Sequence, residues 1–127
     1  MSTGVYCLEN FILSCKNEPR MIKVIQRDLH KSLRYFNLNT EKELLEFIGN
    51  GGLEDLAYVN TKPWENNPDK DIKEIFVDAY RFRSGRKIGY MAILKGLPGN
   101  YVIKSFHKNY NKAKSTDVGN NSIKPLR

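Results

Sequence analysis

Residues 72–108 read IKEIFVDAYRFRSGRKIGYMAILKGLPGNYVIKSFHK, and the punctuation of this stretch decides the fold. Three segments, IKEIFVDAYRF, RKIGYMAILK and NYVIKSFHK, are rich in the β-branched and aromatic residues that suit a pleated, half-buried surface. RSGR joins the first two as a tight glycine-containing turn. GLPGN joins the last two, and its proline and two glycines suit a hairpin loop. Two hairpins in succession make an antiparallel meander.

Upstream the period lengthens. From Arg20 to Leu38 the apolar residues Met21, Val24, Ile25, Leu29, Leu33 and Phe36 recur every three or four positions, which predicts a helix. Asp28, His30, Lys31 and Arg34 then fall on its wet side, and His30 reads as a surface histidine because no partner group stands at a helical spacing from it. Next, Thr40 and Glu43 form a capping box, Leu44, Leu45, Phe47 and Ile48 form a buried stripe, and Gly49, Gly51 and Gly52 stop the helix. Residues 5–15 lean towards a short helix. LEDLAYVNTK reads as a helical turn leading into a strand. KPWENNPDKD is a loop in which Trp64 reads first as a cap over the core and second as a base-stacking platform, since exposed aromatics on loops do both.

The fold class is therefore α+β, with N-terminal helices packed on one face of a small antiparallel sheet. A chain of 127 residues fits one domain, since single cores run to about 100–150 residues. That domain spans residues 1–110. Residues 111–127 form a basic tail without apolar periodicity, read as mobile or loosely docked. No apolar run approaches the roughly 20 residues of a membrane span, and the N-terminus lacks a secretory pattern. Cys7 and Cys15 have neither a second pair nor a histidine at zinc-finger spacing, so they read as reduced thiols of a cytoplasmic protein.

The charge is unevenly placed. Residues 1–80 carry 10 Lys/Arg and 13 Asp/Glu, a net of −3; residues 81–127 carry 11 Lys/Arg and one acid, Asp117, a net of +10. The surplus in the last third points to a polyanionic partner, above all nucleic acid. Tyr80, Phe82, Tyr90, Tyr101, Phe106 and Tyr110 interleave with Arg81, Arg83, Arg86, Lys87, Lys104 and Lys108. Rings beside cations can stack bases while the charges hold phosphates.

His107 closes the last strand. Simple alternation groups Tyr101, Ile103, Ser105 and His107 on one face, and Val102, Lys104 and Phe106 on the other. This strand alone leaves open which face meets the helices. A histidine at a strand end suits general acid or base work. RNA makes a fitting demand: its 2′-hydroxyl attacks the adjacent phosphate without a metal when side chains move the protons and fixed cations stabilise the phosphorane. There is no paired-carboxylate metal motif, Walker loop, GxSxG elbow or HExxH to suggest another chemistry.

The stretch from Phe76 to Asn109 resembles the C-terminal half of the MqsR-type messenger-RNA interferase toxins, within the RelE superfamily. FVDAYR (76–81) corresponds to a WQDVYR-type segment, Tyr90 follows Tyr80 by ten residues, and IKSFHK (103–108) matches a closing V-x-x-SF-K strand. GLEDLAYVN (52–60) is similar to the family's L-x-x-x-DF-x-KS segment. The resemblance implies a RelE-like fold and puts Tyr90 on the catalytic tyrosine, with His107 where the MqsR type has a lysine. Two departures stand out: the family's DFxKS lysine falls near Tyr58, leaving Lys62 as the nearest cation, and Val77 replaces a glutamine.

Together these readings describe a metal-independent endoribonuclease; the resemblance implies that it is a toxin that cleaves mRNA, free or on the ribosome, and is neutralised by a cognate antitoxin. His107, Tyr90 and Arg83 are the catalytic candidates. Lys62, Arg81, Arg86, Lys87, Lys104 and Lys108 are the RNA-binding candidates. No metal or organic cofactor is implied, and no membrane partner. The competing readings are a noncatalytic nucleic-acid-binding accessory protein, which would use the same cations without needing His107, and an interaction domain whose charge serves solubility.

Overall fold

The computed structural model describes residues 4–97 and 99–109; the basic tail read at 111–127 lies outside them. The meander forms as the turns dictate. β3 (Phe76–Ser84), β4 (Lys87–Lys95) and β5 (Tyr101–Lys108) pair antiparallel in sequence order. Ser84 pairs with Lys87, so only two residues close the first hairpin, and Gly85 takes the positive φ of 63° that such a turn demands. β2 (Glu54–Pro63) adds antiparallel to β3. It is a full strand, with no helical turn at its start.

The other edge departs from the sequence reading. β1, only Lys23–Val24, lies beside β5 and runs parallel to it. The sheet order is β1-β5-β4-β3-β2, so the sheet is mixed rather than wholly antiparallel. The helix read from Arg20 to Leu38 is accordingly divided. Pro19–Met21 form a 3-10 turn, β1 follows, and α2 covers only Leu29–Tyr35. Asp28, with φ at 52°, is left-handed and cannot continue an α-helix through the segment. Leu33 and Phe36 are buried as the pattern predicts, but Met21 and Ile25 are exposed.

The remaining helices follow their local signals. α1 spans Leu8–Asn17, with Pro19 just beyond its end. α3 spans Glu41–Gly49, and its cap is built as read: the Glu43 amide donates to Thr40 Oγ1 at 3.1 Å. Glu43 Oε1 reaches back to accept from the Asn39 amide at 2.8 Å, one residue before the capping position.

All three helices bury their apolar sides on one face of the sheet. Phe11, Cys15, Leu33, Phe36, Leu44, Leu45 and Ile48 meet Tyr80, Phe82, Met91, Ile93, Tyr101, Ile103 and Phe106 there. Phe82 and Phe106 stack at 5.4 Å, with Phe36 against both. The opposite face carries a smaller cluster of Ile75, Val77, Ala92, Leu94 and Val102, covered in part by Trp64 and Tyr90. Trp64 is thus a cap, over this second cluster.

One irregularity sets which side chains share that open face. Ala92 pairs with Ser105 but Ile93 pairs with Ile103, so Lys104 is an extra residue with no counterpart on β4. Such a bulge reverses the alternation beyond it. Tyr101 and Ile103 face the helices before the bulge, and Phe106 faces them after it. His107 therefore leaves the face of Tyr101 and Ile103, where plain alternation put it, and joins Tyr90 on the open side.

Candidate functional site

The open face is built around two rings. Tyr90 of β4 and His107 of β5 are ladder partners, and their rings stack with centroids 5.1 Å apart and planes 17° from parallel. His107 Nδ1 lies 2.8 Å from the Lys108 carbonyl oxygen. A carbonyl only accepts, so Nδ1 is the donor in this contact and Nε2 is the ring nitrogen it does not engage. Burial pushes the Tyr90 phenol above its ordinary range, so it enters chemistry as a proton-bearing donor rather than as a base.

Two clefts open on this face, on either side of Lys104. One, of about 420 Å³, is lined by Asn60, Lys62, Asn66, Val77, Tyr90 and Lys104, among others. The other, of about 700 Å³, is lined by Arg27, Asp28, Trp64, Asn66, Lys104 and His107, among others. Arg81 adds an exposed cation opposite Tyr90 in the ladder. The structure thus brings together His107, Tyr90, Lys62, Lys104 and Arg81.

The remaining candidates lie apart from this group. Arg83 is on the same strand side as Arg81, but its guanidinium turns onto β2. Its Nε donates to Asp55 at 2.8 Å, its terminal nitrogens sit 2.5 Å from Asp55 and 3.7 Å from Glu54, and it also donates to the Gly85 carbonyl at 3.1 Å. Lys87 and Lys108 belong to the helix side. Lys87 donates to the Tyr35 carbonyl, and both ammonium groups lie over the Tyr35 ring, at 5.2 and 5.8 Å. Arg86 is exposed at the β3–β4 turn. Strand alternation accounts for the two lysines, since Lys87 pairs with Ser84 and Lys108 with Gly89 on the helix side, whereas Arg83 is drawn off by its carboxylate partners.

No protein-family model, curated protein or solved structure matches the chain. Among the described residues, no helix is long and apolar enough to cross a membrane.

Several residues of the site escaped the sequence reading. Arg27 sat inside the expected helix, Asn60 inside a segment read as partly helical, and Asn66 in a loop noted only for its turn composition. Gln26 fixes the local frame: its Oε1 accepts from the Phe106 amide just past the bulge, and its Nε2 donates to Ser32 Oγ at 2.8 Å. β1, α2 and β5 are thereby tied together beneath His107. A backbone amide left over at an irregular strand is a signal for such a side chain, but only once the bulge is known.

Asp78, a motif residue in the sequence reading, is fully buried on the helix side rather than in the site. Its carboxylate accepts from the Val5 amide at 3.1 Å, the Tyr6 amide at 2.9 Å and the Thr61 hydroxyl at 2.7 Å. It fastens the N-terminal segment to β3 and, through Thr61, to β2.

Proposed function

We propose that this protein is a RelE-like, MqsR-like endoribonuclease that cleaves mRNA without a metal ion and serves as the toxin of a toxin-antitoxin pair. The observation that carries the reading is the Tyr90–His107 stack on the helix-free face, flanked by Lys62, Lys104 and Arg81. The motif resemblance supplies the family. Helices confined to one side of the sheet, with a basic face left open to a strand of RNA, support it. Two free thiols accord with a cytoplasmic setting.

In this mechanism the phosphate rests against Lys104 and its neighbours, which offset the charge that grows on the phosphorane. Tyr90, keeping its proton, orients the ribose at the 2′-hydroxyl. The 2′-oxygen bonds to phosphorus as its proton passes to water, the bond from phosphorus to the 5′-oxygen breaks, and His107 Nε2 delivers a proton to that leaving oxygen. The products are a 2′,3′-cyclic phosphate and a 5′-hydroxyl. A cognate antitoxin with an acidic segment would mask the same face, where complementary charge speeds and orients docking.

The test is incubation of purified protein with RNA in EDTA, comparing the wild type with His107→Ala and Tyr90→Phe. The reading requires cleavage to cyclic ends that is lost with His107→Ala and slowed by Tyr90→Phe. Binding by all three proteins without any cleavage would sink it and leave a noncatalytic RNA-binding protein.

A further inference from the structure

We propose that the two clefts beside Lys104 hold the two nucleosides of a single dinucleotide step, with Lys104 on the phosphate between them and Trp64 stacked on the 3′ base. Only the polarity of the step rests on the ribonuclease reading; the subsites follow from the shape of the open face. Lys104 and Asn66 line both clefts, so they stand at the boundary the two share. The bulge is what lifts a cation onto that boundary, since Lys104 is the residue without a ladder partner. Volumes of about 700 and 420 Å³ fall in the range of sites that enclose small organic ligands. A cation between two such clefts matches two bases joined by one negative charge.

The rim is fixed in place before any ligand arrives. Asn67 is buried, its Nδ2 donates to the Lys73 carbonyl at 2.8 Å, and its Oδ1 accepts from the Asp69 amide at 2.8 Å. The Trp64 amide donates to the Ile75 carbonyl at 2.7 Å, closing the loop at its base. The loop backbone that carries Trp64 and Asn66 is thus held by its neighbours, which lowers the cost of ordering it on a base. An indole stacks on any base, whereas an amide can both donate to and accept from a base edge, so Asn66 is the residue that discriminates.

The polarity follows from the rings. His107 faces the Trp64 cleft and Tyr90 faces the Lys62 cleft. In-line displacement puts the entering and leaving oxygens on opposite sides of phosphorus. The leaving 5′-oxygen, and so the 3′ nucleoside, belongs to the His107 and Trp64 side.

Trp64 is the single tryptophan of the chain, so its fluorescence reports this subsite directly. The experiment titrates the full chain with uncleavable 2′-O-methyl dinucleoside monophosphates and with the matching nucleoside monophosphates. Dinucleotides should quench with roughly tenfold higher affinity than either half, because both stacking surfaces and the phosphate are engaged. Lys104→Gln should weaken binding about tenfold and Lys104→Arg should restore it, as a charge-assisted contact requires. Asn66→Ala should change the ranking of bases in the dinucleotide series. Absent quenching, equal affinity for halves and dinucleotides, or an unchanged ranking in Asn66→Ala would overturn the proposal. Quenching by a protein that leaves RNA uncut would defeat the ribonuclease reading alone; cleavage without quenching would defeat the subsites alone.

Discussion

A guanidinium and a phenol on neighbouring strands illustrate how little residue type alone decides. Arg83 and Tyr90 were both catalytic candidates in the sequence, yet Arg83 spends its donors on Asp55, Glu54 and Gly85. Arg83→Ala should therefore leave RNA cleavage within about threefold of the wild type, since exposed pairs contribute little to positioning elsewhere. Tyr90→Phe removes only a hydroxyl from the stacked ring and should slow cleavage by about 10²-fold, the lower range for a group acting directly on a reacting proton or oxygen. A steady-state comparison of the two variants checks the contrast; an Arg83→Ala enzyme as impaired as Tyr90→Phe would refute it. Asp78 is the opposite case, a buried acid whose role is structural. Asp78→Ala strands the Val5 and Tyr6 amides and leaves the Thr61 hydroxyl only its Tyr58 partner, and should lower unfolding stability by roughly 3 kcal/mol. Urea unfolding measures it.

Among the elements, the bulge in β5 has the widest reach. Deleting Lys104 would restore strict alternation and force either Tyr101 and Ile103 or Phe106 and His107 onto the wrong face. The deletion should cost at least about 3 kcal/mol of stability, through lost apolar burial and an imidazole driven towards the core, whereas Lys104→Ala keeps the register and should cost under about 1 kcal/mol. Equal unfolding midpoints for the two variants would show that the bulge does not set the register. This element also marks the boundary of what the sequence made legible. α3 could be read because its cap lies within four residues of itself, and the meander because its turns carry their own glycines. β1 could not, because Lys23 and Val24 take partners at Val102 and Ile103 while sitting in a run spaced like a helix. β2 was blurred by register shifts near Asp55, whose φ is 50°, and again before Asn60. The candidate site was legible as a basic, aromatic set of residues, but its division between two faces depended on a bulge that leaves no local mark.

For the molecule as a whole, its buried and half-buried thiol and phenols set an alkaline limit. Burial pushes the Cys15 thiol from 9.0 up to about 12, and burial likewise raises the phenols of Tyr6, Tyr80, Tyr90 and Tyr101. Each raised group favours the fold in its neutral form, so this stability is complete below the unfolded values and is lost as pH climbs towards the folded ones. Urea midpoints should be level from pH 7 to about pH 9 and fall steadily by pH 11; a midpoint unchanged across that range would contradict the assignment. The parallel edge has a consequence for biosynthesis. Gln26 and Phe106, which close the frame under His107, are 80 residues apart. At about 5–20 residues per second, a ribosome takes roughly 4–16 s to supply the second after the first. Throughout that interval the emerging chain lacks His107. On the ribonuclease reading, the message being translated is therefore out of danger from its own product until the last strand has been made.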